Sequence, residues 1–259
     1  MTASAAGSKV VAEPVDAATV LLVRDAPARG SKSLEVLMVQ RHQDLEFAGG
    51  MLVFPGGKVM DMDRELPPDR WRGPSLEAWS SALHVDDHAL ALGLVTAAVR
   101  ETFEEAGLLM ATRSDGEHLS AADLRRSNMV EARRRLNDRS DLWDWRPWLE
   151  EEDLVLDLGA LTFWSWWITP SRSPRRFDTR FFLAHVPESQ IAEHDDGEIT
   201  GTRWWEPSEA LEAHAQKRAR LMYPTRCNLH ELIAFECSDA AVTGARGRSV
   251  DRCRIWPRG

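Results

Sequence analysis

The chain has 259 residues, of which 43% are hydrophobic and 28% charged, and 41 acids against 32 bases give a formal net charge of −9. This composition excludes collagen-like, mucin-like and wholly disordered chains, and the length admits one elaborated domain or two small ones. The acidity argues against a protein that coats nucleic acid, whose phosphates would repel it, but leaves room for a small anionic substrate on a local basic patch.

Residues 1–16 are small and polar and read as a flexible tail. Two β-rich runs follow, Ala18–Arg24 and Leu34–Arg41, joined by the turn-like APARGSKS. A third run, Met51–Phe54, stops at Pro55-Gly56-Gly57. Residues 58–85 read as an irregular excursion with a short helix over Leu76–Leu83. A long helix is predicted from about Asp87 to Ala106, with Asp86 or Asp87 as N-cap and Gly107 as C-cap. Residues 120–139 read as another helix, with Leu124, Met129, Ala132 and Leu136 as its buried stripe.

Beyond a Trp-rich segment, strands are predicted over Leu161–Thr169, Phe181–Val186 and Thr202–Trp205. Helices are predicted over Ser208–Leu221 and Thr225–Glu236, the second started by Pro224. The last twenty residues, rich in Arg, read as a loosely packed tail. The order is mixed, so the class is α/β or α+β with a mixed sheet. Cys227, Cys237 and Cys253 are widely spaced and form no CxxC pair, which points to a reducing compartment. No run approaches 18 apolar residues, and no charged leader is present. The expectation is a soluble, cytoplasmic protein with neither membrane nor nucleic acid as partner.

The densest chemistry lies in Arg100-Glu101-Thr102-Phe103-Glu104-Glu105-Ala106-Gly107-Leu108. On a helix at about 100° per residue, Glu104 and Glu105 fall about 60° and 40° to either side of Glu101. Leu92, Val95, Val99 and Phe103 occupy the opposite face. Three like charges on one face destabilise a bare helix. A hard divalent cation with oxygen ligands relieves that repulsion, whereas an ordinary acidic surface face leaves it to solvent. Gly56-Gly57 reads either as an ordinary turn or as a place where backbone approaches a ligand closely. The eight His show no HxxxH or HExxH spacing, and GxSxG, GxGxxG and Walker A runs are absent.

These residues resemble the signature of the Nudix hydrolase family, G-x5-E-x7-R-E-U-x-E-E-x-G-U with U bulky and apolar. Arg100–Leu108 matches its second half, with Thr102 at the first U; Gly57 and Asp63 match the first half, with Asp for Glu. About thirty extra residues separate the halves. That split box resembles the subgroup related to peroxisomal coenzyme A diphosphatases, as do FAGGMLVFPGGKVMD, WITPSRSPRRFDTRFFL and LMYPTRCNL, so the resemblance covers about residues 18–237.

The resemblance implies a single Nudix domain over 17–238, a mixed sheet sandwiched between helices. It implies an insertion within the box at about 64–93, a helical insertion at about 118–158, and an Arg-rich tail over 239–259. It further implies a Mg²⁺- or Mn²⁺-dependent diphosphohydrolase, and a homodimer. Glu101, Glu104 and Glu105 would ligate the metal with a backbone carbonyl of Gly57. Glu101 and Arg100 would serve catalysis, Arg100 by holding a box carboxylate. Asp63 and Gly56 would support the site from behind, and Glu198 would supply a ligand or base, in competition with Glu193, Asp195 and Asp196.

Coenzyme A or acyl-CoA is the leading substrate expectation, giving 3′,5′-ADP and a 4′-phosphopantetheine fragment. ADP-ribose, a dinucleotide or a nucleoside triphosphate is the alternative, and a catalytically inactive binding module the second. One or two of Arg172, Arg175, Arg176 and Arg180, or Arg41, are the candidate phosphate contacts, against surface pairing with acids such as Asp178. Trp143, Trp145, Trp148, Trp164, Trp166 and Trp167 divide between stacking a base or lining a groove and packing a core or dimer interface.

Overall fold

The computed structural model describes residues 12–26, 33–43, 48–138, 140, 142–187, 189–193, 199–251 and 253–255. Most of tail 1–16 and the loop acids Asp195, Asp196 and Glu198 lie outside them. The chain opens with β1 (Val15–Asp25), β2 (Leu34–Arg41), β3 (Leu52–Val53) and β4 (Gly56–Lys58). Two 3-10 helices, Asp61–Glu65 and Pro68–Arg70, lead to β5 (Trp71–Arg72), α1 (Leu76–Leu83) and α2 (His88–Ala106). Then come β6 (Ala111–Arg113), α3 (Ala121–Leu124), α4 (Ser127–Asn137), α5 (Arg146–Glu151) and β7 (Leu154–Asp157). The rest is β8 (Thr162–Ile168), β9 (Phe177–His185), β10 (Ile199–Trp205), α6 (Pro207–Ala215), α7 (Tyr223–Leu232), α8 (Ser238–Arg246) and β11 (Arg254–Ile255).

The main sheet runs β10-β2-β1-β9-β8-β11, with β3 on β2 and β4 on β1. It is mixed: β1–β9 and β8–β11 are parallel and the other pairs antiparallel. Strand periodicity divides the core. Ala18, Val20 and Leu22 of β1 pack with α2, while Leu21 and Val23 face the cluster containing residues of α6, α7 and α8. A sheet covered on both faces explains why β1 reads as a continuous apolar run. This is the α+β sandwich expected from the sequence.

Helix α2 packs on one face of the sheet against β1 and β4, with α1 and α4 against it. Asp87 caps its start by accepting from the Ala89 N–H, and Gly107, at φ +67°, ends it by donating to the Phe103 carbonyl. Every residue from Ala91 to Ala106 is buried. The solvated acidic face that its charge run suggested is therefore wrong: helical spacing shows which residues share a face, not what covers it. Thr102 tolerates burial because its hydroxyl donates to the Ala98 carbonyl at 2.8 Å.

Other expectations are corrected as well. The helix over 120–139 is two, because Ser120 and Asp123 close a capping box around α3 and extended Arg126 restarts the chain as α4. Met129, Ala132 and Leu136 are buried as expected. The insertion at 118–158 is not purely helical: its apolar run Leu154–Asp157 is a strand in a small sheet, β5-β7-β6. The excursion over 58–85 is ordered, through the two 3-10 helices, β5 and α1. Helix α6 ends at Ala215, short of Leu221.

The described part of 239–259 is not a loose tail. Helix α8 buries Ala241, Val242 and Ala245, a short apolar face that the surrounding arginines mask in the composition. Two of these arginines are anchored on Glu231 of α7, Arg248 at 2.5 Å and Arg254 also paired. Among the described residues, no single helix is long and apolar enough to cross a membrane.

Burying an unpaired carboxylate costs at least about 3 kcal/mol, roughly 6–12 °C of Tm at this size. Val242→Asp is expected to lower Tm by that amount in a thermal melt, whereas a loosely packed tail would leave Tm unchanged.

Candidate active site

Arg100 is fully buried and uses all five of its N–H donors. Nε and Nη2 fork onto the two oxygens of Asp63 at 2.9 and 3.0 Å. Nη2 also donates to the Lys58 carbonyl at 2.8 Å. Nη1 donates to Glu101 at 2.8 Å and to Glu104 at 2.5 Å. Asp63 also accepts from the Met60 N–H at 2.8 Å. Its shorter side chain reaches Arg100 because the 3-10 helix Asp61–Glu65 brings its backbone against α2. The extra residues between Asp63 and Arg100 loop away without parting the two.

Glu101, Glu104 and Glu105 are all buried. Glu105 accepts from the Gly56 N–H at 3.0 Å and lies 3.6 Å from the Arg41 guanidinium. Burial pushes its carboxyl well above the ordinary value of 4.5, and the Glu101 charge pushes the same way; Arg41 and the Gly56 N–H oppose. Gly56 and Gly57 belong to strand β4 rather than to a tight turn, and neither has the positive φ that a turn would demand of glycine. What they need is close approach. A Cβ on Gly56 would lie 2.4 Å from the Ala18 carbonyl, and one on Gly57 2.4 Å from the Glu101 carboxylate.

These groups form one end of a cavity of about 580 Å³. Its wall follows the sheet register. Trp167 of β8, Thr179 of β9, Ala17 of β1 and Lys58 of β4 are aligned across four strands, and all line it. Phe177 and Phe181 continue the apolar surface along β9, with Phe54 and Thr225 beside it. The β1–β2 pairing runs from Val23 to Asp25, while residues 17–19 of β1 pair with β4 instead. The strands part at that end, and there the carboxylates of α2, on the other side of the sheet, meet the cavity.

The candidate arginines separate. Arg41 and Arg175 line the cavity, with Arg175 exposed at its mouth. Arg176 is structural: it donates to the carbonyls of Thr169 at 3.1 Å and Ala12 at 2.8 Å. Arg172 is exposed and does not line the cavity. Arg180, from the same basic stretch, is buried against Asp178, the Leu83 carbonyl and the Trp166 ring. Glu193 pairs with Arg125 at 2.6 Å. Of the six tryptophans singled out, Trp167 alone lines the cavity, while Trp145, Trp148 and Trp164 belong to the core. The contributions of Phe177, Thr179 and Phe181 were missed, although alternate residues of one strand share a face and the sequence prints that alternation.

Among the described residues, no three His, Cys, Asp or Glu side chains are grouped as a ready-made metal site. Glu101 and Glu104 are turned toward Arg100, and Glu105 toward Gly56 and Arg41. The donors nevertheless suit a hard divalent cation in type and charge. Four buried carboxylates, Asp63, Glu101, Glu104 and Glu105, face the two guanidiniums of Arg100 and Arg41, so with all four ionised two negative charges are left over. The side-chain-free backbone of Gly57 opens the approach to Glu101.

A family model described as the NUDT19 Nudix domain matches residues 72–232. The chain is 28% identical to acyl-coenzyme A diphosphatase NUDT19 of Xenopus laevis over 86% of its own length and 66% of that protein's. It is 29% identical to the Homo sapiens protein of the same name, over 90% and 68%. The chain thus spans about two thirds of the length of these relatives. The crystal structure of a Nudix hydrolase from Alicyclobacillus acidocaldarius superposes with a TM-score of 0.72 at 26% identity, covering 89% of this chain and 96% of that one.

The raised Glu105 carboxyl sets the sign of a pH effect. Without metal, the folded protein keeps a proton there to higher pH than the unfolded chain, whose carboxyl has the ordinary value of 4.5. This contribution to stability is full below that pH and is lost as pH rises toward the folded value. A divalent cation substitutes for the proton, so its stabilising effect is expected to grow over the same window. Thermal melts from about pH 5 to 8, with EDTA or with Mg²⁺, are expected to show both trends, and Glu105→Gln is expected to flatten them. Unchanged slopes in that variant would show that Glu105 is not the responsible group.

Proposed function

The chain belongs to the Nudix family described by the NUDT19 Nudix domain, and on that premise we propose that it is a divalent-metal-dependent diphosphohydrolase acting on coenzyme A or acyl-CoA. The observation that carries this reading is the carboxylate-rich cluster on Arg100, at one end of a cavity whose remaining walls are mainly apolar with threonines among them and whose cations are Arg41, Lys58 and Arg175. The names of the relatives support the substrate class. So does the wall: an anionic diphosphate can be held between cations while an apolar or aromatic moiety lies along Trp167, Phe177 and Phe181.

In this reading Glu101, Glu104 and Glu105, with the carbonyl of Gly57, hold Mg²⁺ or Mn²⁺. The ion, when bound, supplies positive charge against the diphosphate. The chain's own residues do the rest. Arg100 keeps Glu101 and Glu104 in place beside each other through its Nη1 donors. Arg41 and Arg175 attract and orient the phosphates. Glu101 orients the attacking water. Its oxygen bonds to one phosphorus, the bridging P–O bond breaks, and the products are 3′,5′-ADP and (acyl-)4′-phosphopantetheine. Glu198 remains the sequence candidate for the base that takes the water's proton.

One assay across coenzyme A, acyl-CoAs, ADP-ribose, NADH and nucleoside triphosphates, with Mg²⁺ or Mn²⁺ and products identified by mass, tests the reading. Turnover is expected for coenzyme A or acyl-CoA in preference to the others, and preference for ADP-ribose or a triphosphate would replace that substrate. Glu105→Gln is expected to keep the fold and lose turnover by roughly 10²-fold or more. Arg175→Glu is expected to raise KM for coenzyme A more than for its analogue lacking the 3′-phosphate. Equal effects would remove Arg175 from recognition of that group.

A further inference from the structure

We infer that Arg133, on α4 within the helical insertion, is a positioning residue that clamps the last turn of α2 to the segment leading toward Glu198. This rests on the reading above, in which Glu104 and Glu105 hold the ion. The end of a helix leaves carbonyls with no intrahelical donor. In α2 the Phe103 carbonyl takes the Gly107 N–H at 3.0 Å, and the Ala106 carbonyl takes the Glu193 N–H at 2.9 Å. The carbonyl of Glu104 is served by α4, from Arg133 Nε at 3.0 Å and Asn137 Nδ2 at 3.1 Å.

The same guanidinium reaches a second segment. Arg133 Nη2 donates to the Glu193 carbonyl at 2.6 Å. One rigid fork therefore spans two chain segments, one carrying Glu104 and Glu105 and the other ending five residues before Glu198. Gly107 makes room for it, since a Cβ there would lie 2.9 Å from Arg133 Nη1. Glu104 is thus fixed twice, its carboxylate by Arg100 and its carbonyl by Arg133.

A cation at a helix C-terminus is favourable in any case, and a lysine would supply that charge. Lysine carries all its donors on one nitrogen and cannot present two N–H groups from separate nitrogens of a planar group, as Arg133 Nε and Nη2 do. Releasing the clamp lets the last turn shift, and a misplacement of about 1 Å at a reacting centre can cost 10²-fold in rate.

The test compares the wild-type chain with Arg133→Gln, Arg133→Lys, Asn137→Ala and Arg134→Gln. Arg134 is a control on the same helix, because it pairs with Glu131 at 2.7 Å and not with α2. Mn²⁺ binding is measured by electron paramagnetic resonance without substrate, and kcat and KM on whichever compound the wild type hydrolyses. Arg133→Gln is expected to weaken Mn²⁺ binding several-fold and to lower kcat about tenfold or more, with KM within about twofold.

Arg133→Lys should not restore either quantity, and Arg134→Gln should match wild type. Asn137→Ala removes the other donor to the same carbonyl and should shift both in the same direction by less. It decides the matter if Arg133→Gln does not fold. A folded Arg133→Gln with lower Tm but wild-type kcat and Mn²⁺ affinity would reduce the fork to a structural clasp and overturn the inference. Rescue by lysine would overturn it in favour of charge alone. A wild type that binds Mn²⁺ but turns over none of the compounds would defeat the substrate reading, while the Mn²⁺ arm would still decide Arg133. A wild type that binds no Mn²⁺ would defeat both.

Discussion

A buried guanidinium holding three carboxylates is the constraint on which the structure turns. Arg100 has no access to solvent, and each of its five donors is met by Asp63, Glu101, Glu104 or the Lys58 carbonyl. Removing one partner of such a group leaves a buried charge uncompensated, which costs about 3–5 kcal/mol. Lysine could not replace it, because three donors on a point charge cannot meet five acceptors held in a plane. The same network spans the split in the box. Asp63 before the insertion and Arg100 after it meet at 2.9 Å, so α1 and the surrounding turns are an excursion that starts and ends at one place.

Arg100 also explains how Asp63, Glu101 and Glu104 are held together in the interior. One guanidinium cannot balance Asp63, Glu101 and Glu104 together, and Arg41 balances Glu105 from 3.6 Å, too far for a close ion pair. The excess negative charge is confined to one end of the cavity by the geometry of β4, whose glycines let backbone lie where a side chain would collide with Ala18 or Glu101. An acidic protein can therefore suit a polyanionic substrate: its local sign would be reversed by cations bound at that cluster, as happens wherever a bound ion is the largest charge in a site.

Much of this was legible in the sequence, and the parts that were not share a physical cause. The caps Asp87 and Gly107 were readable because capping depends on one residue's own chemistry. Strand β2 was readable to the residue because a sheet buried on both faces imposes a continuous apolar run. The burial of Glu101, Glu104 and Glu105 was not, since it depends on β4 and the 3-10 helix Asp61–Glu65 arriving from elsewhere in the chain. Helix α8 was hidden because its apolar face is only Ala241, Val242 and Ala245, outweighed by arginines whose partner, Glu231, lies on another helix.

The basic stretch from Arg172 to Arg180 shows the same limit most sharply. Four arginines of identical chemistry within nine residues have different fates. Arg180 is buried over Trp166, Arg176 ties Thr169 to Ala12, Arg172 is exposed away from the cavity, and Arg175 lines its mouth. The separation follows from strand geometry: β9 begins at Phe177, so Arg176 sits where the chain turns into the sheet and Arg180 is committed to one face of it. Arg175, just outside the strand, lines the cavity. A cluster of cations in a sequence therefore announces that anions are near. It is the register of the neighbouring strand that decides which cation meets a substrate, which meets Asp178, and which meets a carbonyl.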